Sequence, residues 1–166
     1  MRKIIDTISD KLNHAVSLVA CVLLAVILIC CTLQVITRYV FNNSLYWSEE
    51  VARYIFVWCC MLSLSVAVKN GTNATIDVVS SKLKGRAKSI QKIIVDLIIV
   101  AICVLFVIYG VRILPTMART VSAALLIPNN YLYASVPVSA VIIIIHCLSN
   151  ICDSVAELAD KKEKEE

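Results

Sequence analysis

The stretch Arg38 to Trp58 reads RYVFNNSLYWSEEVARYIFVW and sets four charged side chains, Arg38, Glu49, Glu50 and Arg53, among aromatic rings and between two apolar runs. Glu49 precedes Arg53 by four residues, the better polarity for an ion pair along a helix. Arg38 is expected to reach Glu49 or Glu50 across the intervening turn. Charges at membrane depth point to function, whereas paired charges at a membrane edge cost far less. Asp96 has Lys92 one turn before it and reads as half of a second helix-edge ion pair. His14 and His146 are the two histidines of the chain, the minimum that bis-imidazole haem ligation requires. Eight cysteines occur, nearly all within apolar runs and none in C-x-x-C spacing, so they read as small hydrophobes rather than as ligands or disulfides.

The elements that must hold these groups are set by composition. The 166 residues are 60% hydrophobic and 17% charged, with a mean hydropathy of +0.84. Soluble domains carry about a quarter charged residues. The composition implies a single integral membrane domain, residues 1–166, of all-α class. At roughly 20 apolar residues per crossing, the chain has room for about four transmembrane helices and no sizeable soluble domain. Spans are expected at about 15–37, 51–68, 93–114 and 131–152. The first is too long for a signal-peptide core of ~7 to 15 residues, so an uncleaved helix is expected. Pro137 falls early in the fourth span and is expected to kink it.

The formal charge is +4 and its distribution is lopsided. Twelve Lys and Arg lie in the N-terminal segment, the 69–92 connection and the tail, against Arg38, Arg53, Arg112 and Arg119 on the opposite side. This bias places both termini in the cytoplasm and the 38–50 stretch outside. It needs no nucleic-acid partner. Within the second connection, Ile76, Val79, Leu83, Ala87, Ile90 and Ile94 recur at helical steps with lysines mostly off that stripe. A short amphipathic helix lying on the cytoplasmic membrane surface is expected at about 76–84, capped by Asn73 or Thr75 and ended near Gly85; a solvated basic linker is the alternative. The tail ending DKKEKEE reads as a frayed terminus.

Within the opening stretch, Tyr39, Phe41, Tyr46 and Trp47 suit headgroup depth. Asn42, Asn43 and Ser44 suit a tight turn, and Ser48 is expected to cap the second helix with Glu49 and Glu50 in its first turn. The pattern Q-V-x-x-R-Y-V-F-N-x-S-L-x-W-S-E-E-V-A-R-Y-x-F-V-W, from Gln34 to Trp58, resembles the signature of the small membrane subunit, or Q subunit, of tripartite ATP-independent periplasmic (TRAP) transporters. Ile76 and Asp77 match as well, as do Ile127, Pro128, Tyr133 and Pro137. Where the family commonly has His-Ile-x-Val-Asp, this chain has Asn73 to Asp77, so Asp77 alone carries over.

The resemblance implies a non-enzymatic scaffold without cofactor in the bacterial inner membrane. It would bind a large permease subunit that holds the substrate and sodium sites, and work with a periplasmic substrate-binding protein that delivers an organic acid such as a sialic acid or a dicarboxylate. The residues it singles out are Arg38, Tyr39, Asn42, Trp47, Glu49, Glu50, Arg53 and Asp77, open to three roles: assembly, docking or internal stability. Two rival readings stand beside it. A haem- or quinone-binding anchor of a redox enzyme would draw on His14 and His146. A dimeric exporter would need a carboxylate well inside a helix, which the first two spans lack. Polar candidates near mid-membrane are few and mild: Gln34, Ser63, Ser65 and Tyr109.

Overall fold

The computed structural model describes residues 2–42, 46–71 and 86–163, with side chains over 6–42, 47–71 and 89–156. Four long helices, α1 (Arg2–Tyr39), α2 (Tyr46–Asn70), α3 (Arg86–Met117) and α5 (Ser135–Glu163), are joined by a four-residue helix α4 (Asn130–Tyr133) at the head of the last. All four long helices have the length and apolarity to cross a membrane, so the chain is a multi-pass, all-α membrane protein. The interfacial segment expected at 76–84, with Asp77, lies outside the described residues, as do Asn43 and Ser44.

Uncharged apolar runs become helices here because hydrocarbon offers no partner to a free backbone N–H or C=O. Hydroxyls inside the spans follow the same logic. Thr32 donates to the Leu28 carbonyl at 2.8 Å, Ser65 to that of Leu62 at 2.7 Å and Ser139 to that of Ser135 at 2.7 Å. Helix α2 ends at Gly71, whose φ of +64° and N–H to the Val68 carbonyl make a left-handed stop.

One boundary expectation is corrected and the others are filled in. Helix α1 begins at Arg2, ahead of the span expected at about 15–37, and Asp6, Ser9 and Asn13 on its first turns have partners on α5 and α2. Helix α2 begins at Tyr46, which puts Ser48 inside the helix and buried rather than at its cap. Ala134 separates α4 from α5 while keeping a helical backbone, φ −62° and ψ −23°, and its N–H still donates to the Asn130 carbonyl at 2.9 Å. Pro137 follows in the first turn of α5, so the interruption lies where its missing N–H would have reached the Tyr133 carbonyl.

Helix α5 is the hub. It is packed on one side by α3 and on the other by α2; α1 lies mainly along α2 and also touches α5, while α3 makes no substantial contact with α1 or α2. In its most apolar window α5 is 44% buried, against 6% for α3. The helices therefore form an open row rather than a closed bundle. One core knot joins α2, α3 and α5 through Val68, Cys103, Ala140, Ile143 and Cys147. A second joins α1 to α2 through Val16, Ala20 and Leu62, with Ile142 of α5 against it. Helices α3 and α5 are tightly apposed at Gly110, where an added Cβ would stand 3.1 Å from Pro137 Cδ.

Candidate functional site

The singled-out residues that fall within the described chain, Arg38, Tyr39, Asn42, Trp47, Glu49, Glu50 and Arg53, gather where α1 ends and α2 begins. Asn42 adopts φ +50°, a conformation that asparagine tolerates better than most residues, and so takes the chain out of α1. Tyr39, Phe41 and Trp47 are all at least half exposed, as rings at a membrane edge should be. Glu49 and Arg53 form the anticipated pair at 3.4 Å, with both side chains largely exposed. Arg38 departs from expectation: it is exposed and makes no ion pair among the described residues.

Glu50 is instead taken by the connection between α3 and α4. Residues 120–129 fold back on themselves, Ser122 N–H donating to the Ile127 carbonyl and Asn129 N–H to the Thr120 carbonyl, both at 2.9 Å, with Val121 bridged to Pro128. At the tip, the Ser122 hydroxyl donates to Glu50 Oε2 at 2.6 Å, while the N–H groups of Ala124 and Leu125 donate to the two carboxylate oxygens at 3.0 and 2.9 Å. Converging N–H groups of this kind form an anion receptor. That receptor absorbs the carboxylate's acceptor capacity, which is why Arg38 is not its partner.

Glu50 is the first of a stripe. One turn on, Tyr54 donates to Asn129 Oδ1 at 2.7 Å, and Asn129 Nδ2 donates to Thr120 Oγ1 at 3.1 Å. A further turn on, Trp58 Nε1 donates to the Tyr131 carbonyl at 3.0 Å. Glu50, Tyr54 and Trp58, at i, i+4 and i+8, share one face of α2 and rivet the folded connection and α4 to it. The role of Ser122, Asn129 and the amides went unread in the sequence. The signal present was the recurrence of three hydrogen-bonding tips on a single face of an otherwise apolar helix.

The opposite end of the row carries a different cluster. His146 is fully buried on α5, with Nδ1 2.8 Å from the Ser9 hydroxyl of α1. Ser149 donates to Asp6 Oδ1 at 2.9 Å and accepts from Lys69 at 3.2 Å, and Lys69 pairs with Asp10 at 3.1 Å. Asn13 donates to Asn70, and Asn150 to the Val68 carbonyl. His146 is thus an interhelical hydrogen-bonding group. His14 is exposed, so the two imidazoles occupy unlike surroundings. Asp96 is half-buried, and the expected bridge to Lys92 is not made within 4 Å; the aspartate shares the α5-facing side of α3 with Cys103, seven residues on.

Comparison with known proteins follows this geometry. Residues 26–157 match the model of the family described as tripartite ATP-independent periplasmic transporters, DctQ component. Over 109 residues the chain is 29% identical to the sialic acid TRAP transporter permease protein SiaT of Haemophilus influenzae, covering 66% of this chain and 18% of that one. It is 32% identical over 88 residues to the sialic acid TRAP transporter small permease protein SiaQ of Vibrio cholerae, covering 53% and 47%. Over 50 residues it is 42% identical to the isethionate TRAP transporter permease protein DctMQ of Oleidesulfovibrio alaskensis, covering 30% and 8%. The chain thus spans less than half the length of each of these three relatives.

Proposed function

The chain belongs to the DctQ component family of tripartite ATP-independent periplasmic transporters, a transporter family rather than an enzyme family, and we propose that it is the non-catalytic small membrane subunit that braces a large permease subunit. The observation that carries this reading is the open row. Its terminal helices α1 and α3 offer nearly whole apolar flanks to neighbours, while the polar clusters at its two ends are spent on internal hydrogen bonds. A chain that transported alone would need polar groups converging near mid-membrane. The DctMQ name of one relative joins a Q component to an M component, which supports pairing with a large permease.

In this reading the transporter moves an organic acid with sodium, the solute arriving on a periplasmic binding protein. Relatives named for sialic acid and isethionate support an acidic substrate. The lysine and arginine bias supports an inner-membrane orientation with both termini cytoplasmic, so that the Arg38 to Glu50 end faces the periplasm. Exposed Arg38 is then the residue of this end left available to a partner, and Glu50 the one that holds the end in shape.

The test is co-expression with a tagged large permease, followed by purification and by uptake in vesicles with the binding protein supplied. The chain alone is expected to move no solute. Arg38→Ala is expected to weaken co-purification or, with the complex intact, uptake driven by the binding protein; the two readouts separate assembly from docking. Full co-purification and full uptake by both Arg38→Ala and Glu50→Ala would remove this end from partner recognition, and transport by the chain alone would remove the scaffold reading itself.

A further inference from the structure

From Thr120 to Cys152 the chain carries no Asp, Glu, Lys or Arg, the longest such stretch in the molecule. A crossing needs about 20 apolar residues, and α5 supplies them from Ser135 onwards. The fold-back over 120–129 therefore belongs to the uncharged stretch without belonging to the helix that crosses. A connection bathed in water ordinarily shows polar side chains on its outer face.

This fold-back is polar inward and apolar outward. Its two arms pair antiparallel, Thr120 with Asn129, Val121 with Pro128 and Ser122 with Ile127, and side chains alternate between the faces of such a pair. Thr120, Ser122, Ile127 and Asn129 thus share one face, whose polar members meet Glu50, Tyr54 and one another. Val121 and Pro128 share the other face, and Val121 is exposed. At the tip, Leu126 is 71% exposed and holds φ +54°, a left-handed conformation for which a turn in water would use glycine or asparagine. Leucine is disfavoured there twice, by backbone and by exposure, unless an apolar medium receives it.

Glu50, which holds the tip, lies near the start of membrane-crossing α2, so the tip is level with the membrane edge. Exposed rings stand on both flanking elements, Trp47 just before Glu50 and Tyr131 just after Asn129, as expected at headgroup depth. We propose that residues 120–129 form a membrane-dipping hairpin, clamped to α2 by its polar face, with Leu126 and Val121 entering the acyl chains of the leaflet at this end. The uncharged stretch runs unbroken from the hairpin into the crossing helix, and this continuity favours lipid over a protein partner as the occupant. The clamp then lets the Glu50 carboxylate and the hairpin amides satisfy each other where the bilayer supplies few partners. The inference requires only that the helices cross a membrane, so it stands or falls separately from the transporter reading.

The test adds a tryptophan at the tip. Full-length Leu126→Trp is reconstituted in phosphatidylcholine vesicles with acyl chains brominated at shallow or deep positions, and its emission beyond that of wild type is read. The added emission is expected to be blue-shifted, quenched more by shallow than by deep bromine, and protected from acrylamide in the water. Val121→Trp, on the same outward side, is expected to repeat the pattern without touching the left-handed position. Leu126→Asp added to Val121→Trp is expected to abolish the bromine quenching with an unchanged circular dichroism spectrum. Acrylamide quenching at both sites without bromine quenching overturns the proposal. So does protection from both quenchers, bromine quenching that survives Leu126→Asp, or its loss once a large permease is bound, which would give the tip to protein.

Discussion

The two ends of the helix row are held by opposite means. At the Glu50 end a carboxylate on a helix is received by backbone amides of a folded connection, and the geometry is fixed by main chain. At the His146 end, side chains of three helices meet one another, and the geometry is fixed by rotamers. A main-chain receptor holds one shape whatever its own side chains are. A side-chain cluster instead specifies which helices sit together and in what register. The first arrangement shapes a surface; the second sets an assembly of helices.

If that contrast is right, the largest response comes from Glu50→Ala. It strips the receptor at Ala124 and Leu125 of its anion, and the fold-back over 120–129 should open locally while the helices persist. Hydrogen exchange at those two amides is expected to quicken by roughly a hundredfold, with little change along α1 or α3. Uniform loss of protection across the chain would erase the distinction between the ends.

A smaller but more global response is expected from His146→Leu. It leaves the fully buried Ser9 hydroxyl without its partner, at a cost of about 1–3 kcal/mol. The thermal midpoint in detergent should fall, and the double variant with Ser9→Ala should recover part of the loss, because removing both partners is cheaper than removing one. Additive losses would mean that the two residues act separately.

The least is expected of Arg53→Ala. Its pair with Glu49 is exposed on both sides, and exposed pairs of this spacing contribute about 0.3–0.5 kcal/mol. A melting shift beyond about 2 °C would give this pair a role that its exposure does not suggest.

What the sequence made legible follows the range of the interactions. Four helices are announced by long apolar runs, and the Glu49–Arg53 pair by a spacing of four. Glu50's real partners lie 72 to 75 residues away, where local periodicity carries no information. Arg38 looked like the partner because it ends α1 directly across the hairpin from the start of α2. The early start of α1 was hidden for a related reason: the residues ahead of the apolar run carry no local sign of their partners, and Asp6, Ser9 and Asn13 meet Ser149, His146 and Asn70 of α5 and α2.

The meeting of Gly110 with Pro137 has a mechanical corollary. The proline ring is rigid and cannot swing aside, so a methyl group at 110 would bear directly on it, and the two helices rather than a side-chain rotamer would have to give by a few tenths of an ångström. Spacing between α3 and α5 is thus set at this level by the absence of a single carbon.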